Sequence, residues 1–168
     1  MSIDPAEGCE VLREVVLTLL ESKLKFWIGR GVFRQFVLHG NFGDGQGDID
    51  LHVLRSDEGV LLKVIARLQT KGYLRVSSPL QTHKITLRKN GAEVEFVYLE
   101  RDGDLLWHQA GHPQKKRFDC PSSDFGDREI ELCGLTVRAP EDAYCEHVFG
   151  PGWREEKKGS GGVPIRRR

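Results

Sequence analysis

The sequence lacks a long hydrophobic run, an excess of charge of either sign and closely spaced cysteines. Its 168 residues include 25 Lys and Arg and 25 Asp and Glu, so the formal net charge is zero. A chain balanced in this way has no broad electrostatic field to attract nucleic acid or a membrane surface, and we expect neither as a partner. No apolar stretch approaches the roughly 20 residues of a spanning helix, and no signal-peptide pattern precedes the first predicted helix.

Cysteine is scarce and scattered. The chain has four cysteines, at positions 9, 120, 133 and 145, with no Cys-x-x-Cys pair among them. This spacing argues against a disulfide framework or a zinc site and favours a reducing compartment. We therefore predict a cytoplasmic protein without paired cysteines.

The composition is that of an ordinary globular protein, with 39% hydrophobic and 30% charged residues. A chain of this length forms one domain most simply and is long enough to bury a core. The last residues are rich in Lys, Arg and Gly, which favours an extended and unpacked segment. We predict a single domain over residues 1–153 and a flexible basic tail over 154–168.

Local patterns predict an α/β or α+β domain. Asp4 followed by Pro5 indicates a capped helix, Ser56 or Asp57 can cap a later helix, and Asn90-Gly91 between alternating runs indicates a β-hairpin. We expect a mixed, mostly antiparallel sheet with helices on one side and the functional carboxylates at one edge. The predicted strands are Phe26–Ile28, Asp48–Leu54, Tyr73–Val76, His83–Lys89, Ala92–Leu99, Glu129–Cys133 and Leu135–Arg138; further helices are predicted near Val32–Leu38 and Pro140–Phe149. We expect residues 107–127 to be polar and irregular.

The stretch from Asp48 to Leu54 carries the clearest functional signal. Apolar and polar residues alternate strictly through it, which is the period of a strand with one buried face. Asp48 and Asp50 then share the polar face with His52 and lie roughly 6–7 Å apart along the strand. Two carboxylates at that spacing can bind one hard divalent cation, although a solvated strand face remains the alternative for a bare Asp-x-Asp.

Two other elements complete a possible phosphate-binding arrangement. Gly29 and Gly31 form a turn between a strand and a helix, and backbone amides at such a turn suit phosphate oxygens. Glu95, on the return strand of the hairpin, supplies a third carboxylate. Three carboxylates can hold one or two Mg²⁺ ions that neutralise phosphate charge during an in-line displacement.

These residues also resemble a known superfamily, the polymerase-beta-type nucleotidyltransferases. Residues 26–31, FWIGRG, resemble the glycine-rich entry of the small aminoglycoside and lincosamide nucleotidyltransferases. Residues 39–42, HGNF, followed by the run DIDL at 48–51, resemble the LicD and fukutin-related phosphotransferases, as does the closing segment 139–153. The resemblance covers roughly residues 26–153 and implies a nucleotidyltransferase-like sheet flanked by helices.

The resemblance implies a role for each matching residue. Asp48 and Asp50 would be paired metal ligands, and Glu95 would be a third ligand or the base for the acceptor hydroxyl. The nucleotide phosphates would lie against Gly29 and Gly31. Apart from the resemblance, we hypothesise that Arg30 and Arg34 supply positive charge to the phosphates and that Lys84, at the start of a strand facing the hairpin, contacts a phosphate.

The implied reaction is a Mg²⁺-dependent transfer of a nucleoside monophosphate from a nucleoside triphosphate to a hydroxyl of a small molecule, for example an aminoglycoside-like antibiotic. One alternative is a LicD-like transfer of a phospho-alcohol such as phosphocholine to a glycan. A second is a non-catalytic member that binds a nucleotide or a protein. It is kept open by Val32, Gln46 and Gly47, which replace a hydroxyl-bearing residue and acidic residues of the relatives.

Overall fold

The computed structural model describes residues 3–41, 47–110 and 115–155. Within them the chain forms four α-helices and nine β-strands. The helices are α1 (Pro5–Glu21), α2 (Arg30–His39), α3 (Glu58–Thr70) and α4 (Ala143–Phe149). The strands are β1 (Phe26–Ile28), β2 (Ile49–Leu54), β3 (Leu74–Arg75), β4 (Lys84–Lys89), β5 (Ala92–Asp102), β6 (Leu105–Ala110), β7 (Lys116–Pro121), β8 (Glu129–Leu132) and β9 (Leu135–Arg138).

Helix α1 begins where the capping signal predicts. The Asp4 carboxylate accepts hydrogen bonds from the backbone amides of Ala6 and Glu7 at 3.0 and 3.1 Å, and Pro5 is the first helical residue. The cap satisfies amides that have no partner within the helix. One stripe of α1, including Leu12, is buried in the core.

The main sheet has seven strands in the described residues and is mixed but mostly antiparallel, which confirms the predicted α+β class. Five of its strands run in the order β1-β2-β5-β4-β3. β2 and β5 form a parallel pair in the middle, whereas β1 and β4 are antiparallel to their neighbours. The hairpin between β4 and β5 turns at Asn90 and Gly91, whose φ angles of 50° and 76° are those of a tight two-residue turn.

Both faces of β2 are enclosed. Ile49, Leu51 and Val53 are fully buried on one face, and helix α3 contacts the strand. On the other face Asp50 is 3% exposed and His52 is fully buried. On that second face the His52 ring packs against His108 of β6 and Tyr144 of α4, so the expectation of helices on one side of the sheet is wrong. The carboxylates also lie on the two inner strands, β2 and β5, rather than on an edge strand.

The expectation of an irregular segment over residues 107–127 is also wrong for residues 107–110 and 116–121, which are in strands, whereas residues 111–114 lie outside the described part of the chain. β5 turns at Gly103 into β6, and β6 pairs with β7 in register, with His108 opposite Phe118. We call this β6–β7 pair the ribbon. Its inward positions on β6 are Leu106, His108 and Ala110, all buried. Because His108 is polar, the alternation of apolar and polar residues that would predict this strand is interrupted.

The cysteines are not all unpaired, which corrects the prediction from their spacing. Cys9 on α1 and Cys133 in the β8–β9 turn form a disulfide, with Cα atoms 5.4 Å apart and a sequence separation of 124. The Arg13 guanidinium donates a 2.8 Å hydrogen bond to the Cys133 carbonyl oxygen, which holds α1 against that turn. Sequence spacing says little about distance in space once elements far apart in the chain pack together.

Each helix among the described residues is too short or too polar to cross a membrane. Gln46 and residues 156–168 of the predicted tail lie outside the described residues. The one-domain organisation and the tail stay predictions.

Candidate functional site

The structure brings the three predicted carboxylates together. Asp50 on β2 is directly opposite Glu95 on β5 in the parallel register, and Asp48 immediately precedes β2. One carboxylate oxygen from each residue lies within 4.8 Å of one from each of the others. We call these residues the carboxylate cluster; their roles as ligands or base stay predictions.

Asp50 is the most enclosed member of the cluster. Its Oδ1 atom is buried and makes no hydrogen bond. Burial raises the pKa of Asp50 well above its ordinary value, and the neighbouring Asp48 and Glu95 act in the same direction against the opposing charge of Arg30. A buried carboxylate oxygen without a hydrogen-bond donor destabilises the fold. A cation bound at this position would give that oxygen a partner.

Arg30 places a positive charge beside Asp50. Its Nε lies 3.8 Å from Asp50 Oδ1, and the side chain is only 15% exposed. Arg30 is the first residue of α2 and has a φ of 50°, in the left-handed region that a residue with a side chain seldom occupies. The conformation is supported by Tyr144, whose hydroxyl accepts a 3.0 Å hydrogen bond from the Arg30 backbone amide.

Gly29 is required by packing at this turn. A Cβ added there would lie 2.3 Å from His52 Cδ2 and 2.4 Å from His52 Nε2, closer than any side chain permits. The Gly29 amide donates to the Asp50 carbonyl oxygen at 3.0 Å, which fixes the turn to β2. The phosphate-contact role predicted for Gly29 and Gly31 stays a prediction.

The Gly29–Arg30 turn packs against a buried polar group, formed by His52, His108 and Tyr144, that the sequence does not reveal. His52 Nε2 lies 2.6 Å from the Tyr144 hydroxyl, and the His52 and His108 rings have centroids 4.7 Å apart. Burial, with a smaller contribution from the Arg30 charge, lowers the pKa of His52 to about 3. Burial also lowers the pKa of His108 well below its ordinary value, so both rings are neutral at pH 7. His52 therefore faces Tyr144 in the interior and contributes no charge to the site.

The two other predicted phosphate contacts differ in their surroundings. The Lys84 ammonium contacts the Glu95 carboxylate directly, so this lysine belongs to the cluster's surroundings. Arg34 instead donates two hydrogen bonds, of 2.9 and 2.7 Å, to the carbonyl oxygen of Trp153. Its guanidinium is therefore engaged by the segment that follows α4.

The donor set fits a hard divalent cation. The cluster offers only oxygen atoms and includes one buried oxygen without a hydrogen bond. Its negative charge is offset by Arg30 beside Asp50 and by Lys84 in contact with Glu95. Oxygen-only sites of this kind suit Mg²⁺ better than a softer metal.

Comparison with known proteins bears on the fold. No family model matches the chain, and no curated protein sequence matches it. Among solved structures, the crystal structure of ANT(2'')-Ia in complex with adenylyl-2''-tobramycin superimposes with a TM-score of 0.53 at 14% identity, over 79% of this chain and 68% of that one. The chain has the nucleotidyltransferase fold.

A second solved structure agrees. The solution structure of ANT(2'')-Ia, described as an antibiotic-resistance factor with substrate-regulated conformation dynamics, gives a TM-score of 0.59 at 14% identity. The match covers 89% of this chain and 74% of that one. It extends the similarity over most of the chain, beyond the strands that carry the carboxylate cluster.

Proposed function

We propose that this protein is a nucleotidyltransferase that transfers a nucleoside monophosphate from a nucleoside triphosphate to a hydroxyl of a small acceptor, with Mg²⁺ as cofactor. The observation that carries the proposal is the carboxylate cluster: one oxygen from each residue lies within 4.8 Å of the others, with Asp50 and Glu95 on adjacent parallel strands and Asp48 just before β2. The nucleotidyltransferase fold supports it, since the cluster stands on the central strands of that fold.

Asp48, Asp50 and Glu95 would hold the metal. A bound Mg²⁺ neutralises phosphate charge and orients the reacting oxygens of an in-line displacement. The acceptor oxygen attacks the α-phosphorus, the bond from that phosphorus to the bridging oxygen of the β-phosphate breaks, and pyrophosphate leaves. The proton of the acceptor hydroxyl passes to a carboxylate or to water.

The chain's own contribution is positioning and charge. Arg30 presents a nearly buried guanidinium next to Asp50, and its planar fork suits phosphate oxygens. Lys84 contacts Glu95 and thereby fixes the carboxylate proposed as ligand or base. The Tyr144 hydroxyl accepts a hydrogen bond from the backbone amide of Arg30 and so fixes the backbone position from which the guanidinium extends.

The acceptor is proposed as a small polyhydroxylated amine of the aminoglycoside kind. The support is the similarity to ANT(2'')-Ia, whose crystal structure contains adenylylated tobramycin. The transfer of a phospho-alcohol from a cytidine diphosphate carrier is the second candidate reaction and shares the same cluster.

The experiment is a transfer assay with product identification by mass. Each nucleoside triphosphate is incubated with Mg²⁺ and a panel of aminoglycosides, and pyrophosphate release is measured; a parallel arm uses cytidine diphosphate choline and measures release of cytidine monophosphate. We expect nucleotide-dependent pyrophosphate release that chelation of Mg²⁺ and Asp48→Asn both abolish. The matched control is Asp104→Asn, an exposed aspartate in the β5–β6 turn, which should keep full activity.

Release of cytidine monophosphate alone would favour the phospho-alcohol transferase. Binding of a non-hydrolysable triphosphate without any turnover would favour a non-catalytic nucleotide-binding member. Absence of both binding and turnover would overturn the proposal.

A further inference from the structure

A second group of metal-binding side chains lies outside the carboxylate cluster. Cys120 is near the end of β7, Asp124 ends the short 3₁₀ helix Ser122–Asp124, and His147 is on α4. One potential ligand atom from each residue lies within 4.8 Å of those of the other two. Asp124 Oδ2 and His147 Nδ1 are already 2.6 Å apart.

The donor atoms of this group differ from those of the carboxylate cluster. Sulfur, nitrogen and oxygen are together the ligand types of Zn²⁺, whereas the carboxylate cluster offers oxygen alone. Ligand atoms around a tetrahedral Zn²⁺ stand roughly 3.3–3.6 Å apart, given bond lengths of about 2.0–2.3 Å. From the present arrangement, small side-chain adjustments that open the 2.6 Å contact between Asp124 and His147 would reach the tetrahedral spacing.

Burial distinguishes a metal ligand from a nucleophile here. Cys120 is fully buried and Asp124 is 4% exposed, while the His147 side chain is 38% exposed and opens the group to solvent on one side. An enclosed thiol beside a carboxylate is a poor nucleophile, because catalytic thiols need positive surroundings that favour the thiolate. The same enclosure suits a cation, which would neutralise the buried carboxylate.

We propose that Cys120, Asp124 and His147 form a Zn²⁺ site, separate from the carboxylate cluster, with a water molecule as the remaining ligand. The cysteine binds as thiolate, so one proton is released from sulfur for each ion bound. Burial and the nearby Asp124 and Asp119 raise the pKa of the Cys120 thiol to about 12, so that proton is present at neutral pH until the metal displaces it.

The consequence for the fold is a link between the ribbon and α4. The three ligands come from β7, the following 3₁₀ helix and α4, and His147 lies one turn after Tyr144 on α4. A bound ion would fix the helix whose tyrosine supports Arg30.

The experiment is a titration of the purified protein with Co²⁺ as a spectroscopic substitute for Zn²⁺, without thiol reductant so that the disulfide stays closed. We expect a thiolate-to-cobalt charge-transfer band in the wild-type protein that Zn²⁺ abolishes by displacement. Cys120→Ala should lose the band, whereas Cys145→Ala should keep it; Cys145 is the matched control because it is the other buried free cysteine of the described residues. His147→Ala, at a half-exposed position, should weaken Co²⁺ binding at least tenfold without loss of folding by circular dichroism.

The outcomes separate this site from the proposed activity. Asp50→Asn should keep the charge-transfer band, because the carboxylate cluster contains no sulfur. No band in the wild-type protein, a band that survives Cys120→Ala, or unchanged Co²⁺ affinity in His147→Ala would each overturn the three-residue site.

Discussion

The two faces of β2 are equally buried but differ in what burial does. Ile49, Leu51 and Val53 fill one face, and removing their apolar surface from water stabilises the fold. Asp50 and His52 fill the other, where Asp50 Oδ1 and His52 Nδ1 have no hydrogen-bond partner. Buried polar atoms without partners destabilise a fold, so the second face carries groups that packing alone would not select. The contrast marks this second face as the candidate functional side of the strand.

The largest expected effect comes from neighbouring substitutions on the two faces. Leu51→Ala removes a fully buried side chain and should lower the free energy of unfolding by about 2–5 kcal/mol. Asp50→Asn should keep the fold, because it is nearly isosteric and leaves the apolar face of β2 unchanged. It should nevertheless lower turnover at least about a hundredfold, since metal-assisted charge stabilisation supplies several kcal/mol. Urea unfolding and the transfer assay measure the two properties, and comparable unfolding of both variants would contradict the distinction.

A smaller effect is expected from acid. The unfolded chain protonates His108 near pH 6.5, whereas in the folded state burial lowers the pKa of His108 well below that value. Stability from this group is therefore complete above pH 6.5 and is lost as pH falls below it. Compared with His108→Phe, the wild-type protein should lose about 2 kcal/mol of unfolding free energy between pH 7 and pH 5.

The difference between the wild-type protein and His108→Phe isolates the contribution of His108 to the pH dependence of unfolding. The raised pKa of Asp50 acts in the opposite sense, because the folded protein retains that proton, but it contributes to both proteins. A constant difference in unfolding free energy across this pH range would show that the His108 ring is accessible to protons in the folded state.

The smallest expected effect compares two tyrosine hydroxyls. The Tyr144 hydroxyl lies against the His52 ring and accepts from the Arg30 amide, so Tyr144→Phe leaves interior polar atoms without a partner. We expect a loss of about 1–2 kcal/mol in unfolding free energy, together with weaker nucleotide binding. Tyr98→Phe is the control, because its hydroxyl contacts Glu58, whose side chain is 45% exposed and can turn to water. Equal losses in the two variants would remove the special role of Tyr144.

The sequence predicted what local patterns encode. Asp4 and Pro5 predicted the start of α1, Asn90 and Gly91 predicted the central hairpin, and the alternation around Asp50 predicted β2. Each of these signals lies within a few residues, where capping, turn and strand preferences act. The grouping of Asp48 and Asp50 with Glu95 was predicted from the carboxylates themselves and from the resemblance, and the parallel register of β2 and β5 accounts for the closeness of Asp50 and Glu95.

The missed disulfide and the missed role of Tyr144 depend on contacts between distant parts of the chain. Tyr144 supports Arg30 across 114 residues, and the disulfide joins cysteines separated by 124. β6 was missed because His108 occupies a core position that an alternation argument assigns to an apolar residue. No spacing rule reports such contacts, since they exist only after the sheet and helices have packed.

The disulfide between Cys9 and Cys133 makes most of the chain a closed covalent ring. Every residue of the carboxylate cluster lies on that ring, whereas α4, with Tyr144 and His147, lies on the arm beyond it. A single peptide-bond cleavage within the ring leaves one covalently connected molecule. A cleavage between Arg138 and α4 instead leaves the helix attached by non-covalent contacts alone, among them those of Tyr144 and His147. The helix that supports the Gly29–Arg30 turn is thus the one helix in the described residues whose whole length lies beyond the ring's covalent closure.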